Sequence, residues 1–400
     1  MILIKATLGC NFVSDYGGCE YCYQHPVRKE HYRVNLEAIE ETVRRLYSQR
    51  KRQIILHGGE PLSLPKHQVE FFLKLAYDLT GGSSIQTNGS LIDEEIIQLF
   101  KRYKTRVGVS IDGPWPCNEL RVGGSKEIRK KITNLVLDNI KILQDEGIPV
   151  SIIVVVHQAN ALGDRRELLK LWVKDLSERK ISGRLNPCYT RNSRIDLTPI
   201  QLRDFYLDML DFMVEEEIRF WSPYSDIINS LTGRGNVVCV FRECDPFCTP
   251  SATTVFGDGS VGVCVRLYGL DGKIYLRSPE RSTFRSEILR QTDCKNCPWW
   301  EHCYGGCPGM SINGDWRNKD QWCLAYKALF EKIQKWLDFL GFQDLERKKS
   351  SILKEDYRHL DNGVLHLDSD LKSRSKSHCD GIEHLDGNFR HLDSDWRCSQ

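Results

Sequence analysis

Apolar positions in the first 235 residues follow two alternating periods. Short β-branched runs predict strands over residues 2–7, 53–57, 84–87, 106–111, 150–157 and 184–187. Between them, apolar residues recur every three to four positions and predict helices over 36–50, 68–80, 93–103, 126–146 and 165–179. Strands alternating with helices make a parallel sheet with helical crossovers, and six strands close only part of a ring. The expected class is therefore α/β, a partial (β/α)6 TIM-like barrel. From about residue 236 the apolar period fades, and cysteine, glycine and proline take over, as where metal replaces a hydrophobic core. After about residue 345 the chain turns polar. The expected organisation is a barrel over 1–235, a small cysteine-rich domain over 236–345 and a flexible tail over 346–400.

The first five strands each run into a polar or glycine-bearing segment. These are Gly9-Cys10, His57-Gly58-Gly59-Glu60-Pro61, Gln86-Thr87-Asn88-Gly89, Ser110-Ile111-Asp112-Gly113-Pro114 and His157-Gln158-Ala159-Asn160. Loops that follow parallel strands share one face of a barrel, so these five should converge there. Gly58 and Gly59 would let backbone approach a ligand closely, and Glu60 would offer a carboxylate to an ammonium group.

Composition narrows the class. Hydrophobic residues make up 40% and charged residues 28%, with a formal net charge of +2. That suits a globular chain and gives no electrostatic case for nucleic acid or membrane binding. No apolar stretch is long enough to span a bilayer. The sixteen cysteines change the picture most. The opening MILIKATLGC has no charged region, apolar region or cleavage site of a secretory signal, so a reducing cytoplasmic location is expected. Closely spaced cysteines there hold metal more often than disulfides. Iron-sulfur clusters are the expected occupants; structural zinc, bound by two close cysteine pairs, is the alternative and would make the chain a non-enzymatic module.

Cys10, Cys19 and Cys22, with Tyr21 just before the last, and the following Gly58-Gly59-Glu60-Pro61 resemble the radical S-adenosylmethionine (radical SAM) superfamily. The resemblance implies that the three cysteines ligate a 4Fe-4S cluster whose fourth iron takes the amino and carboxylate groups of SAM. It further implies that Tyr21 contacts the adenine, Gly58, Gly59 and Glu60 the methionyl amino group, and Thr87, Asn88 and Ser110 the ribose or carboxylate region, with Arg121 a further carboxylate contact. The eight residues between Cys10 and Cys19 exceed the usual family spacing. Asp15 and the pair Gly17-Gly18 in that insert suit a loop that folds back to deliver all three thiolates.

Cys248, Gly259 and Cys264, then Cys294, Cys297, Cys303, Cys307 and Cys323, resemble in order and spacing the SPASM extension of radical SAM enzymes, which holds two auxiliary 4Fe-4S clusters. Carried over by position, Cys248, Cys264, Cys307 and an upstream cysteine, Cys244 or alternatively Cys239, would hold the first. Cys294, Cys297, Cys303 and Cys323 would hold the second. Enzymes of this architecture modify peptides or proteins and draw electrons from a reductant such as flavodoxin or ferredoxin. In sulfatase maturases an aspartate regarded as a base follows the cysteine matching Cys264; here Val265 and Arg266 follow it. Asp112, Asp258 and Cys188 are the remaining candidates for catalytic groups. Cys117, His57 and His157 read more simply as buried structural residues, and Trp299 and Trp300 as shields for a cluster.

The tail carries four His-Leu-Asp triads, at 359–361, 366–368, 384–386 and 391–393. Three readings stand: a disordered extension from a duplicated coding segment, a metal-scavenging tail using His, Asp, Cys379 and Cys398, or a fused substrate. Some maturases resembling this chain join an aromatic ring to the β-carbon of the residue two positions later, and His-Leu-Asp has that form. A tethered substrate would also enjoy a high effective concentration.

Overall fold

The computed structural model describes residues 1–22, 34–233, 244, 247, 251–264, 267 and 279–340. The chain divides into two compact units, Met1–Gln343 and Asp344–Gln400. The second unit, with the His-Leu-Asp triads, lies outside the described residues.

In chain order the described elements are β1 (Ile2–Lys5), α1 (Asn11–Tyr16), α2 (Leu36–Gln49), β2 (Ile54–His57), α3 (Lys66–Thr80), β3 (Ser83–Thr87), α4 (Glu94–Arg102), β4 (Thr105–Ser110), α5 (Lys126–Asp145) and β5 (Val150–Val156). There follow α6 (Gln158–Ala161), α7 (Asp164–Glu178), β6 (Ser182–Pro187), α8 (Pro199–Glu215), α9 (Tyr224–Leu231), β7 (Thr253–Phe256), β8 (Val261–Gly262), α10 (Pro279–Gln291), α11 (Trp300–Cys303) and α12 (Cys323–Phe339). All six expected strands form, and they lie side by side in chain order from β6 to β1, each pair parallel. All four residues of β1 are buried, because one face meets the helices and the other the barrel interior. Ile2 and Ile4 join the main core, whereas Leu3 packs separately with Ala252.

The five expected crossover helices also form, and three start on side-chain caps. Asn35, Asp93 and Ser125 accept from the backbone N–H groups of Ala38, Ile96 and Ile128 at 3.1, 2.9 and 3.4 Å. Each such cap is worth about 1 kcal/mol.

Two features depart from the expectation of a fading apolar period after residue 236. Strand β7 pairs in parallel with β1, and β8 pairs antiparallel with β7, so strands from both sides of residue 235 share one sheet. Helix α12 is amphipathic, burying Ala325, Tyr326, Leu329, Phe330, Ile333 and Leu337 against α8 and α9. These side chains belong to the same core as the barrel. Burial of a leucine or phenylalanine such as Leu329 or Phe330 contributes about 1.5–3 kcal/mol. Hydrophobic packing ties this region to the barrel.

Candidate active site

The loop after β1 is built around Cys10, which is the N-cap of α1; the Cys10 carbonyl accepts from Val13 N at 2.9 Å. The insert between Cys10 and Cys19 folds as this short helix, and Gly17 ends it in the left-handed region, φ 89°. Such a φ is cheap only for glycine, and it turns the chain back so that Cys19 and Cys22 return toward Cys10. The longer spacing is thus taken up by one helical segment.

Gly58 and Gly59 line the same cavity as the cysteines, but the close approach they permit is to the chain's own backbone. Gly59 N donates to Thr7 O and Glu60 N to Gly9 O, both at 2.8 Å. A β-carbon on Gly59 would stand 2.2 Å from Gly9 O and 2.3 Å from Leu8 O. The pair therefore clamps the β2 loop onto the Cys10 loop, and in doing so aims Glu60. The Glu60 carboxylate, 1% exposed, accepts from Leu62 N at 3.0 Å, Thr87 Oγ1 at 2.7 Å and Asn88 N at 2.6 Å. Burial raises its pKa to about 7 despite these donors. Asn88 Nδ2 in turn donates to Asn11 Oδ1 at 2.8 Å, and Ser110 Oγ accepts from Gln86 Nε2 at 2.8 Å.

Asp112 is the hub of the opposite wall. Its carboxylate, with no exposed surface, accepts from Tyr21 Oη, from Arg121 Nη2 at 2.7 Å and from Val155 N at 2.8 Å, and lies 3.4 Å from His157 Nε2. Burial alone would raise its pKa, yet the Arg121 guanidinium and His157 hold it at about 2. A carboxylate so engaged is a poor general base. Arg121 also stands over the Tyr21 ring, 5.5 Å from its centroid, so Asp112 fixes both residues at once. His157 is buried with Asp112 at its Nε2, but its Nδ1 has no hydrogen-bond partner among the described residues, so the structural reading is met only in part. Asp258 lies elsewhere: it is exposed in the β7–β8 turn, where it accepts from Ser260 N and Oγ. Cys188 reaches the cavity, but burial and then Asp196 push its thiol pKa far up, so it stays protonated. Cys117 is fully buried outside the cavity, its thiol donating to Arg165 O at 3.4 Å.

One cavity of about 330 Å³ gathers Cys10, Cys19, Tyr21, Cys22, His57, Gly58, Gly59, Glu60, Thr87, Asn88, Ser110 and Arg121. Its volume is in the range of small-molecule and cofactor sites. Sequence reasoning missed part of its lining. Gln86, Ile153, Val155 and Asn186 alternate along strands toward the interior, a signal present in the period-two pattern. Gly309 and Met310 come from far along the chain and had no such signal. They reach the cavity because Tyr189 Oη donates to Ser311 O at 2.7 Å, tying the loop after β6 to the segment beyond Cys307.

The donor set fits an iron-sulfur cluster. Burial pushes the Cys10 thiol up to about 11 and Cys19 further, so these thiols lose their protons to metal rather than to water. Among the described residues no three His, Cys, Asp or Glu side chains converge on the point a single ion would occupy, and the three thiols stand around a shared space instead. Beside them lies a buried carboxylate suited to an ammonium group.

Residues 4–171 match the radical SAM superfamily. Over those residues the chain carries a radical SAM domain. It is an enzyme. It is similar to a "Cysteine-type anaerobic sulfatase-maturating enzyme" of Clostridium novyi (strain NT), 25% identical over 369 residues that span 83% of this chain and 94% of the relative. Its fold resembles native anSMEcpe with bound AdoMet, with TM-score 0.67 and 21% identity over 86% and 99% of the two chains. It also resembles Streptococcus suis SuiB bound to precursor peptide SuiA, with TM-score 0.56 and 15% identity over 81% and 75%. Among the described residues, no helix is long and apolar enough to cross a membrane.

The late cysteines divide into two groups. Cys294, Cys297, Cys303 and Cys323 line a single pocket, walled by Trp299, Trp300, Tyr326 and Phe330. Trp299 stacks on Phe330 with ring centroids 5.2 Å apart and planes 15° from parallel. Cys244, Cys264 and Cys307 are half-buried. Cys264 follows β8 and packs against Leu3 and Ala252. Cys248 and the alternative ligand Cys239 lie outside the described residues.

Proposed function

We propose that this radical SAM enzyme is a SPASM-type maturase that oxidatively modifies a side chain of a peptide or protein, with the His-Leu-Asp triads of its own tail as the favoured substrate. The observation that carries this reading is a single cavity lined by three thiols, the Glu60 carboxylate and Met310 from the cysteine-rich region. Cys10, Cys19 and Cys22 would hold the SAM-binding cluster. Cys294, Cys297, Cys303 and Cys323 would hold one auxiliary cluster, and Cys244, Cys248, Cys264 and Cys307 the other.

When bound, the cluster and SAM supply a 5′-deoxyadenosyl radical able to take a hydrogen from an unactivated carbon. The chain's own groups do the rest. Glu60, held by three donors, would take the methionyl ammonium, which would stabilise its ionised form. Asp112 fixes Tyr21, which would meet the adenine, and Arg121, which would meet the SAM carboxylate. Gly309 and Met310 wall off the cavity and exclude water from the reacting carbon. A crosslink between imidazole and the aspartate β-carbon removes two hydrogens, one as an atom taken up as 5′-deoxyadenosine and one as a proton plus an electron. Auxiliary clusters would receive that electron, and a flavodoxin or ferredoxin would supply the one that opens the cycle.

A second reading, maturation of a separate sulfatase-like or precursor peptide, is supported by the names of the relatives and by the near-complete span of the sulfatase-maturating relative. Tandem mass spectrometry of residues 346–400, after anaerobic incubation of iron-loaded protein with SAM and reductant, separates the two. Loss of two hydrogens within a triad, absent from the Cys10/Cys19/Cys22→Ala protein, is the expected result. An unmodified tail despite 5′-deoxyadenosine formation would move the search to separate peptides.

A further inference from the structure

Lys5 closes β1 with no exposed surface, in register with His57 of β2 and Phe256 of β7. Alternation along β1 turns Ile2 and Ile4 to the core beneath the helices and puts Lys5 on the face of Leu3, where Cys264 packs. Beyond Lys5 the same strand leads into the Cys10 loop. His57, its register partner, lines the cavity of Cys10, Cys19 and Cys22, and Cys264 packs against Leu3 of the same strand. Burial lowers the Lys5 pKa to about 8, and Cys22 and Cys264 act against that lowering. Lys5 also acts on its neighbour: burial first, and Lys5 second, hold His57 down to about 4 and therefore neutral.

We infer that Lys5 is a positioning residue of electrostatic kind, the counter-cation shared by the cluster at Cys10, Cys19 and Cys22 and by the thiolate site at Cys264. This rests on the assignment of those cysteines to iron-sulfur clusters. A buried cation needs nearby negative charge, and thiolates supply it once metal has taken their protons. Net charge around a cluster sets its potential. A cluster at Cys10, Cys19 and Cys22 would become more negative by one charge on taking an electron, and a fixed cation that acts on Cys22 would favour that reduced state. Lys5 would ease reduction of the cluster that cleaves SAM and couple it to the charge state of the Cys264 site.

The test is an EPR-monitored redox titration of the iron-loaded enzyme, with dithionite as electron donor, for Lys5→Met, Lys5→Gln and Lys5→Arg. The N-terminal signal is recognised by its change when SAM is added. Lys5→Met and Lys5→Gln should lower the reduced-to-oxidised ratio at a fixed potential about tenfold, equivalent to 59 mV, and Lys5→Arg should restore it. An unchanged ratio in Lys5→Met with full iron content overturns the inference. Should the first two variants fail to load the N-terminal site, recovery in Lys5→Arg still supports a charge effect, and failure in all three overturns it. Absence of a SAM-sensitive signal in the unsubstituted enzyme would instead remove the cluster assignment itself.

Discussion

The two best-described thiol sites of this enzyme differ in what surrounds the sulfurs. Cys10, Cys19 and Cys22 line a cavity of about 330 Å³ walled by Glu60, Thr87, Asn88, Ser110 and Arg121. Cys294, Cys297, Cys303 and Cys323 line a pocket walled mainly by aromatic rings. On the proposed assignment, three thiols would leave one iron of a four-iron cluster without a protein ligand, with the polar walls as partners for a zwitterion, whereas four thiols among rings would satisfy every iron of a second cluster and keep water away. The first site would then bind and react, and the second hold charge and pass electrons.

The largest expected effect separates the two directly. Replacing Cys10, Cys19 and Cys22 with Ala should abolish 5′-deoxyadenosine formation while iron at the C-terminal site remains, measured by product analysis and iron content. Continued SAM cleavage would break the comparison. The reciprocal replacement of the four late cysteines should leave SAM cleavage in place and stop multiple turnover of substrate.

Asp112→Asn should come next, because it leaves the Arg121 guanidinium buried without its carboxylate. The expected loss is about 3–5 kcal/mol of stability in denaturant unfolding, confined to the barrel side of the comparison. Asp112 is held at about 2, below the usual carboxylate value, so its contribution is present above that usual value and is lost as pH falls through about 2. An unfolding midpoint unchanged by Asp112→Asn would mean that the hub does not hold this wall.

Gly59→Ala sharpens the comparison in another way. The new β-carbon would collide with backbone at Leu8 and Gly9, which cannot give as a side chain can. N-terminal iron should be lost while C-terminal iron is retained; full loading of both sites would show that the loops separate without penalty.

Glu60 gives a smaller, pH-dependent effect. In SAM-free protein its pKa is raised to about 7 from 4.5, so the folded state binds this proton more tightly and its contribution to stability falls as pH rises between those values. SAM binding reverses the demand, since the ammonium prefers the ionised carboxylate. SAM affinity should therefore rise about tenfold per pH unit below about 7 and level off above it, in equilibrium binding. Glu60→Gln should weaken binding and flatten that profile; an unchanged profile would exclude the contact.

The smallest effect concerns the seam between the sites. Tyr189→Phe removes the hydrogen bond to Ser311 O, at a cost of about 1 kcal/mol, and should raise the KM for a peptide more than it lowers kcat. Equal changes in both would argue against a substrate-facing role for the Met310 segment.

Much of this was legible in the chain. The strands were readable because each is short, β-branched and followed by a polar or glycine signal, and the cysteine spacings because metal ligation needs particular residue types close together. The long Cys10–Cys19 insert was also readable as a loop that folds back, with Gly17 as its turn. Strand β7 was not: four residues flanked by a cysteine-rich segment carry too little pattern, and only pairing with β1 and β8 makes them a strand. The function of Gly59 was half legible. Its need for space was evident, but the atoms claiming that space belong to Leu8 and Gly9, some fifty positions earlier.

By itself the sequence determined the barrel, the cysteine sets and the segments that meet at the ends of the strands, because backbone period and ligand chemistry are local properties. Only the tertiary structure decided how those groups are charged and paired. Asp112 became a hub rather than a base because Tyr21, Arg121 and the pair Val155 and His157 reach it from three separate segments. Lys5, unremarkable on a strand, became a buried cation on which Cys22 and Cys264 both act. Burial and long-range contact set pKa and charge, and neither is encoded in any short stretch of chain.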